Sequence, residues 1–279
     1  MAESNTHTAP NAELSYAEIT PNFGVELLET NLLSFDAKQI EALQQLAAEK
    51  GVVVVRNQIM TTDQQVSFGQ QLGELFKTPV NDNRVPSELI VIKADENSKS
   101  VAGQGWHSDV SSEAIPPGLS MLRMEKVPSS GGDTLFADMY QAFESLSSEM
   151  QLFLQRLTAR HDPKGHYLYR SGAKALHELP SAKHPVIRTH PRTQRKALYV
   201  NWGFVGRIME LSSRESESLL NLLYDHIAYN VSAQIRVQWQ PNTVVFWDNR
   251  VVQHHAAFDY HPQQRLGYRL TVRGEAPYL

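Results

Sequence analysis

The stretch Trp106-His107-Ser108-Asp109 places an imidazole and a carboxylate two positions apart. In a strand or an extended turn such residues lie on one face, so both side chains can reach a single ion. A distant histidine would complete a set of two histidines and one carboxylate, and Gln253-His254-His255 contains two candidates. Such a set leaves coordination positions open, which is typical of an oxygen-activating Fe(II) centre.

Two arginines near the C-terminus could bind anions. The run from Arg265 to Arg273 alternates, which places Arg265 and Arg269 on one face of a predicted strand. A solvent-facing polar surface is the usual interpretation of such a face. If it instead lines an interior, the two guanidinium groups need anionic partners, because a buried charge is retained only when it is paired. Arginine presents a planar fork that matches a carboxylate or a sulfonate.

Four motifs in order make the sequence resemble the taurine dioxygenase (TauD/TfdA-like) family of Fe(II)/2-oxoglutarate-dependent dioxygenases. They are Trp106-His107-Ser108-Asp109-Val110, Gly131-Gly132-Asp133-Thr134-Leu135, Trp247-Asp248-Asn249-Arg250 and Gln253-His254. The spacing from His254 to Arg265 and Arg269 also matches. The resemblance extends from about residue 32 to residue 274, which is nearly the whole chain.

The resemblance implies a cofactor set and the residues that bind it. His107, Asp109 and His254 would bind Fe(II), and Thr134 and Arg265 would hold the distal carboxylate of 2-oxoglutarate. With O2, this pair of cofactors would hydroxylate a carbon of the substrate while 2-oxoglutarate becomes succinate and CO2. A lone His-x-Asp pair is weak evidence, because the pattern arises often by chance, so the prediction depends on the downstream residues.

The residues around His254 have expected supporting roles. His255 would point to the opposite face of a strand and is expected to be structural. Asp248 and Asn249 are expected in a turn that sets the strand bearing His254. His161 and His184, like most other histidines, are interpreted as loop or turn residues without a role in the site.

The substrate end departs from the family pattern. Taurine-type members place a histidine on the sulfonate after a Gly-Glu-Leu stretch, but residues 78–84 contain none, and Gly103 stands where an asparagine would be expected. Asn83 or Arg84 could supply a different polar contact. Arg269 would face the anionic end of the substrate or the near carboxylate of 2-oxoglutarate. We therefore expect an anionic substrate with a larger apolar body than taurine.

The sequence is compatible with three functions. The main hypothesis is a dioxygenase that hydroxylates the carbon next to a heteroatom of an alkyl sulfate or sulfonate, often with release of the anion. The alternative is the same chemistry on a carboxylate, as in aryloxyalkanoate cleavage. The alternative from another class is a cupin-like binding protein without turnover. A binding protein has little need for both the metal set and the Arg265-Thr134 pair, which favours an enzyme.

Length and composition exclude several other classes. A chain of 279 residues with 41% hydrophobic residues can bury a sizeable core. The net charge of -4, with both signs interspersed, gives no indication of a nucleic-acid or membrane partner. The absence of cysteine excludes disulfides, thiolate zinc sites and cysteine nucleophiles. The longest aliphatic run, Val52 to Val55, is too short to span a bilayer. We expect a cytoplasmic protein, with association into dimers or tetramers left open.

The chemistry-bearing residues must be positioned by many short strands. Turn residues separate runs such as 119–124, 234–239, 243–247 and 265–273, and helical spacing appears after Asp36 and in the segments 62–75, 139–157 and 212–229. This pattern predicts a mainly β fold with flanking helices (α+β), a double-stranded β-helix of the jelly-roll, cupin-like type. Residues 1–16 are expected to be a flexible tail, and residues 17–279 a single domain with a substrate-facing insertion around 162–185.

Overall fold

The computed structural model describes residues 6–8, 14–77, 85–101, 103–165, 168 and 173–279. Asn83 and Arg84, the two predicted substrate contacts, lie outside this part of the chain. The α-helices discussed below are α1 (Ala37–Lys50), α2 (Thr62–Leu72), α3 (Met139–Glu144), α4 (Ser148–Leu154) and α5 (Ser213–Tyr229). In the described ranges no helix is both long and apolar enough to cross a membrane.

The strands of the described residues include four that lie close to the predicted runs 119–124, 234–239, 243–247 and 265–273. The described strands are β1 (Thr6–Thr8), β2 (Ser15–Glu18), β3 (Val25–Leu27), β4 (Val52–Val55), β5 (Ile90–Ala94), β6 (Pro117–Lys126), β7 (Thr134–Asp138), β8 (Thr158–His161), β9 (Ala182–Pro185), β10 (Ile187–Thr189), β11 (Lys196–Leu198), β12 (Val205–Ile208), β13 (Gln234–Val237), β14 (Thr243–Asp248), β15 (Val252–Ala256) and β16 (Arg265–Arg273).

Two sheets position the candidate site. The larger has eight strands in the order β1-β2-β3-β4-β14-β6-β16-β5, and the smaller has the order β13-β7-β15. Side chains from both, such as Leu122 and Val245 from the larger and Phe136 from the smaller, meet in one buried core. The mainly β prediction with flanking helices is therefore confirmed.

The central strands β4 and β14 of the large sheet are buried on both faces. In β4, Val52 and Val54 join the core between the sheets, whereas Val53 and Val55 pack in a second core with Leu43 of α1 and other helical residues. A strand covered on both faces is expected to be apolar throughout rather than alternating. This explains the run of four valines.

The helix boundaries follow capping signals in the sequence. Asp36 accepts a hydrogen bond from the Gln39 backbone N–H, and α1 ends at Gly51, which has a φ of 74°. The helical spacing predicted over 139–157 is divided between two helices, α3 and α4. Ser147 starts the second of them by accepting a hydrogen bond from the Met150 backbone N–H.

The N-terminal tail was expected to extend to residue 16, but residues 14–16 belong to the folded domain. Leu14 and Tyr16 are buried, and Ser15–Glu18 pairs with Val25–Leu27 as a strand of the large sheet. The polar composition of the first residues hid this pairing, because Leu14 and Tyr16 are the apolar side chains that enter the core among those described in this stretch.

The last residues of the insertion expected around 162–185 form a β-strand instead of a loop. Ala182–Pro185 forms β9, which pairs with β8. The pairing buries His161 and His184, so the interpretation of these two histidines as loop or turn residues is wrong. The His161 ring stacks on Tyr199 with the ring centroids 5.4 Å apart, and its Nδ1 lies 2.9 Å from the Ser111 hydroxyl.

The buried His161 predicts a dependence of stability on pH. Burial lowers the pKa of this imidazole well below its usual value of 6.5, so the folded chain holds it neutral. The unfolded chain binds a proton there as the pH falls below about 6.5, and folding then loses up to about 1.4 kcal/mol per pH unit from this group. Urea titrations between pH 7.5 and 5 should show a shallower acid loss in His161→Asn than in the wild type. Equal slopes would contradict this assignment.

Candidate active site

An isolated antiparallel bridge brings the two halves of the site together. The His107 N–H donates to the His254 carbonyl at 3.2 Å, and the His254 N–H donates to the His107 carbonyl at 2.9 Å. The two imidazole rings consequently lie side by side, with centroids 4.1 Å apart. His255 faces the other way and packs edge-on against Trp106, as expected for the neighbouring position of a strand.

Asp109 completes a compact group of donor atoms. Its Oδ1 lies 3.9 Å from the Nε2 atoms of both His107 and His254. In the described part of the chain this is the group of three metal-ligating side chains that meets within 4.8 Å. The Nδ1 of His107 lies 2.9 Å from the Gly105 carbonyl, which leaves Nε2 as the atom directed at the site.

The protonation states of the three side chains suit a cation. Burial lowers the pKa of both His107 and His254, so both rings are neutral at pH 7. Burial alone would raise the pKa of Asp109, but Arg269 and the two histidines outweigh it and lower that pKa to about 2. Two neutral imidazole nitrogens and one ionised carboxylate oxygen are a donor set that fits Fe(II).

The loop before His107 approaches the ring of that histidine closely. The Gly103 carbonyl accepts a hydrogen bond from the Ala256 N–H at 2.9 Å. A Cβ atom at Gly103 would lie 3.3 Å from Cε1 of His107, and the φ of 84° favours glycine there. The segment that precedes His107 therefore lies beside the site at Gly103.

Arg265 and Thr134 meet at a second position in the same interior. Arg265 is only 3% exposed, and its Nη2 lies 3.5 Å from the Thr134 hydroxyl, which also accepts a hydrogen bond from Trp239 Nε1 at 3.0 Å. The guanidinium carbon lies 5.8 Å from the Trp239 ring centroid and 5.9 Å from that of Tyr260.

Arg265 has the properties of an anion-binding residue. Among the described residues no carboxylate forms an ion pair with it, and its Nε has no hydrogen-bond partner. Burial lowers the pKa of the guanidinium, which is the direction expected for an uncompensated cation. Because a buried charge needs a partner, this pocket fits a carboxylate such as that of 2-oxoglutarate.

Arg269 reaches the metal-ligand candidates directly. Its Nη1 donates to Asp109 Oδ1 at 2.6 Å, and its Nε has no partner among the described groups. The structure therefore brings six of the predicted site residues into one interior: His107, Asp109, Thr134, His254, Arg265 and Arg269. The inward face of β16 is confirmed, since Leu270 and Val272 pack on its other side.

Residues 15–271 match the model of the family described as taurine catabolism dioxygenase TauD, TfdA family. The chain belongs to this family. TauD/TfdA membership confirms the resemblance stated from the four motifs, and it makes the protein a 2-oxoglutarate-dependent dioxygenase that uses Fe(II) and O2.

Individual relatives support the same family. The chain is 36% identical to an alpha-ketoglutarate-dependent sulfonate dioxygenase of Saccharomyces cerevisiae, over 95% of this chain and 68% of the relative. It is 30% identical to an alpha-ketoglutarate-dependent sulfate ester dioxygenase of Pseudomonas putida, over 99% of this chain and 95% of the relative.

A solved structure confirms the fold. The crystal structure of a taurine dioxygenase from Burkholderia xenovorans superposes with a TM-score of 0.82 and 29% identity, and covers 95% of this chain and 92% of that one. The predicted jelly-roll, cupin-like class is thereby confirmed. Membership of an enzyme family also argues against the binding protein without turnover.

Some residues of the site were not identified from the sequence. Ser120 donates to Asp109 Oδ2 at 2.9 Å. Trp239 and Trp247 lie in the core, and each indole N–H also donates to a side chain of the site. Tyr260 lies beside Arg265. The position of Ser120 between Leu119 and Met121 in a predicted strand was the available signal for this residue.

Proposed function

We propose that this dioxygenase hydroxylates a small anionic organic substrate, preferably an alkyl sulfate or sulfonate, at the carbon next to the heteroatom. His107, Asp109 and His254 would hold Fe(II), and Thr134 and Arg265 would hold the distal carboxylate of 2-oxoglutarate. The position of Arg269 carries the proposal, since its guanidinium lies 2.6 Å from Asp109 and brings a cation to the edge of the metal group.

The chain's own residues bind and orient the reactants. Bound Fe(II) with 2-oxoglutarate supplies the oxidising power for O2-dependent hydroxylation of a C–H bond, and 2-oxoglutarate leaves as succinate and CO2. Arg265 fixes one end of 2-oxoglutarate by a charge-assisted hydrogen bond. The buried surroundings of His254 and Trp247 exclude water from the oxidation.

The substrate class rests on charge and on the relatives. The yeast relative is named for sulfonates and the Pseudomonas putida relative for sulfate esters. Arg269 offers a planar fork suited to a tetrahedral sulfur oxyanion or to a carboxylate. Hydroxylation of the carbon that bears a sulfate ester oxygen gives an unstable product, which separates into an aldehyde and sulfate. A sulfonate would separate into an aldehyde and sulfite in the same way.

A matched substrate panel tests this proposal. Purified protein with Fe(II) and 2-oxoglutarate is offered hexyl sulfate, hexanesulfonate, an aryloxyacetate and the uncharged hexyl acetate. We expect succinate, aldehyde and sulfate or sulfite in equal amounts from the sulfur anions, and little turnover of the ester. Arg269→Met should lose the preference for the anions. Equal turnover of hexyl acetate in the wild type would reject an anionic substrate.

The same substrate panel distinguishes a sulfate or sulfonate substrate from the alternative, a carboxylate substrate. Turnover of the aryloxyacetate alone would favour the carboxylate substrate, because arginine binds either anion. Roles for Asn83 and Arg84 at the substrate remain predictions, as do a cytoplasmic location, the absence of nucleic-acid and membrane partners, and association into dimers or tetramers. Sulfur metabolism is the cellular role that fits the proposed products.

A further inference from the structure

Three buried side chains form a chain of hydrogen bonds behind Asp109. Trp247 Nε1 donates to Asn249 Oδ1 at 3.0 Å, Asn249 Nδ2 donates to the Ser120 hydroxyl at 2.9 Å, and that hydroxyl donates to Asp109 Oδ2 at 2.9 Å. All four residues are at most 3% exposed. Trp247 and Asn249 are far in sequence from Ser120 and Asp109, and the two pairs meet because β14 and β6 pair with Trp247 opposite Ser120.

The direction of these hydrogen bonds follows from the chemistry of the donors. An indole N–H and a backbone N–H can only donate, and Asn249 Oδ1 receives both, from Trp247 and from the Asp109 backbone at 3.3 Å. The other amide atom of Asn249 is therefore the NH2 group, which can only donate to Ser120. A hydroxyl has a single proton, so that of Ser120 is left for Asp109 Oδ2.

We propose that Ser120 and Asn249 form a relay that holds the Asp109 carboxylate so that it offers only Oδ1 to Fe(II), and that this relay sets the metal affinity of the site. The inference rests on the metal group proposed above. Oδ2 accepts the Ser120 hydroxyl proton, whereas Oδ1 lies 3.9 Å from both histidine Nε2 atoms. Oδ1 also accepts from Arg269 Nη1 at 2.6 Å, and its second lone pair is left for the ion. A carboxylate that binds through one oxygen leaves more coordination positions open for 2-oxoglutarate and O2.

The relay revises the role expected for Asn249. It holds the metal-ligand carboxylate on another segment of the chain, in addition to forming the turn before β15. Ser120 and Asn249 are positioning residues, because neither touches the metal group except through Asp109. Hydrogen-bond partners of metal ligands commonly contribute ten- to a hundredfold in metal affinity.

Metal titration of the purified chain tests the relay without any turnover. Mn(II) is the probe, because it is stable in air and its free ion is measured by electron paramagnetic resonance. Ser120→Ala should bind Mn(II) about ten- to a hundredfold more weakly than the wild type. Ser120→Cys keeps most of the volume but is a weak donor, and it should also bind several-fold more weakly.

Ser112→Ala is the matched control. Ser112 is as buried as Ser120, but its hydroxyl has no hydrogen-bond partner among the described groups, so its loss should leave Mn(II) affinity unchanged. Melting temperatures without metal show whether each variant is folded. Folded Ser120 variants that bind Mn(II) as tightly as Ser112→Ala would overturn the relay. A wild type that fails to bind Mn(II) would overturn the metal group itself.

Discussion

Replacing His254 with alanine is expected to abolish turnover. This residue supplies one of three donor atoms that meet within 4.8 Å, and two remaining donors hold a divalent ion poorly. The neighbouring His255 cannot substitute, because it lies on the opposite face of β15, against Trp106. Succinate formation from 2-oxoglutarate, with and without substrate, measures the loss.

The same substitution should leave the fold nearly intact. The His254 ring packs against Trp247 and Phe136, with centroids 4.9 and 6.1 Å away, so alanine leaves a cavity. It also removes a buried imidazole whose Nδ1 has no partner among the described groups, which limits the cost to about 1–2 kcal/mol.

His255→Ala is the matched control on the same strand. It removes an imidazole of equal size that points away from the metal group, so it should retain most of the turnover. If His254→Ala were grossly unfolded, or if His255→Ala lost activity equally, the role of His254 would be structural instead. Circular dichroism of both variants separates these results.

The face that Arg265 and Arg269 share on β16 could be predicted from the sequence, because successive side chains of a strand point to opposite faces. Arg265 and Arg269 alternate with apolar residues, so only the choice between solvent and interior was open, and the family motifs favoured the interior. The metal group was accessible for the same reason, since His107 and Asp109 are two positions apart. Local periodicity and the order of the motifs were thus sufficient to predict both the fold class and the main residues of the site.

The relay behind Asp109 could not be predicted in this way. Ser120 and Asn249 are 129 positions apart, and their contact depends on which strands pair and in which register. The same reason applies to His161 and His184, which become buried only when β8 pairs with β9. Composition indicates neither the β14–β6 pairing nor the β8–β9 pairing. His161 and His184, which have no local pattern around them, were therefore assigned to loops.

Replacing Arg265 with alanine is expected to raise the 2-oxoglutarate concentration needed for half-maximal turnover by about ten- to a hundredfold. A charge-assisted hydrogen bond to a carboxylate contributes about 1.5–3 kcal/mol, and each 1.4 kcal/mol is a factor of ten. The maximal rate with saturating 2-oxoglutarate should change less, because the guanidinium lies beside Thr134 and away from the metal group.

Arg195→Ala is a suitable control, because this arginine is exposed and pairs with Glu144 at the surface. It should leave the 2-oxoglutarate requirement unchanged, since an exposed ion pair contributes little. Arg265→Lys separates charge from geometry: lysine keeps the charge but cannot offer a planar fork, so it should recover only part of the affinity. An unchanged requirement in Arg265→Ala would place the carboxylate elsewhere, and Arg269, whose Nε has no partner among the described groups, would then be the candidate to hold it.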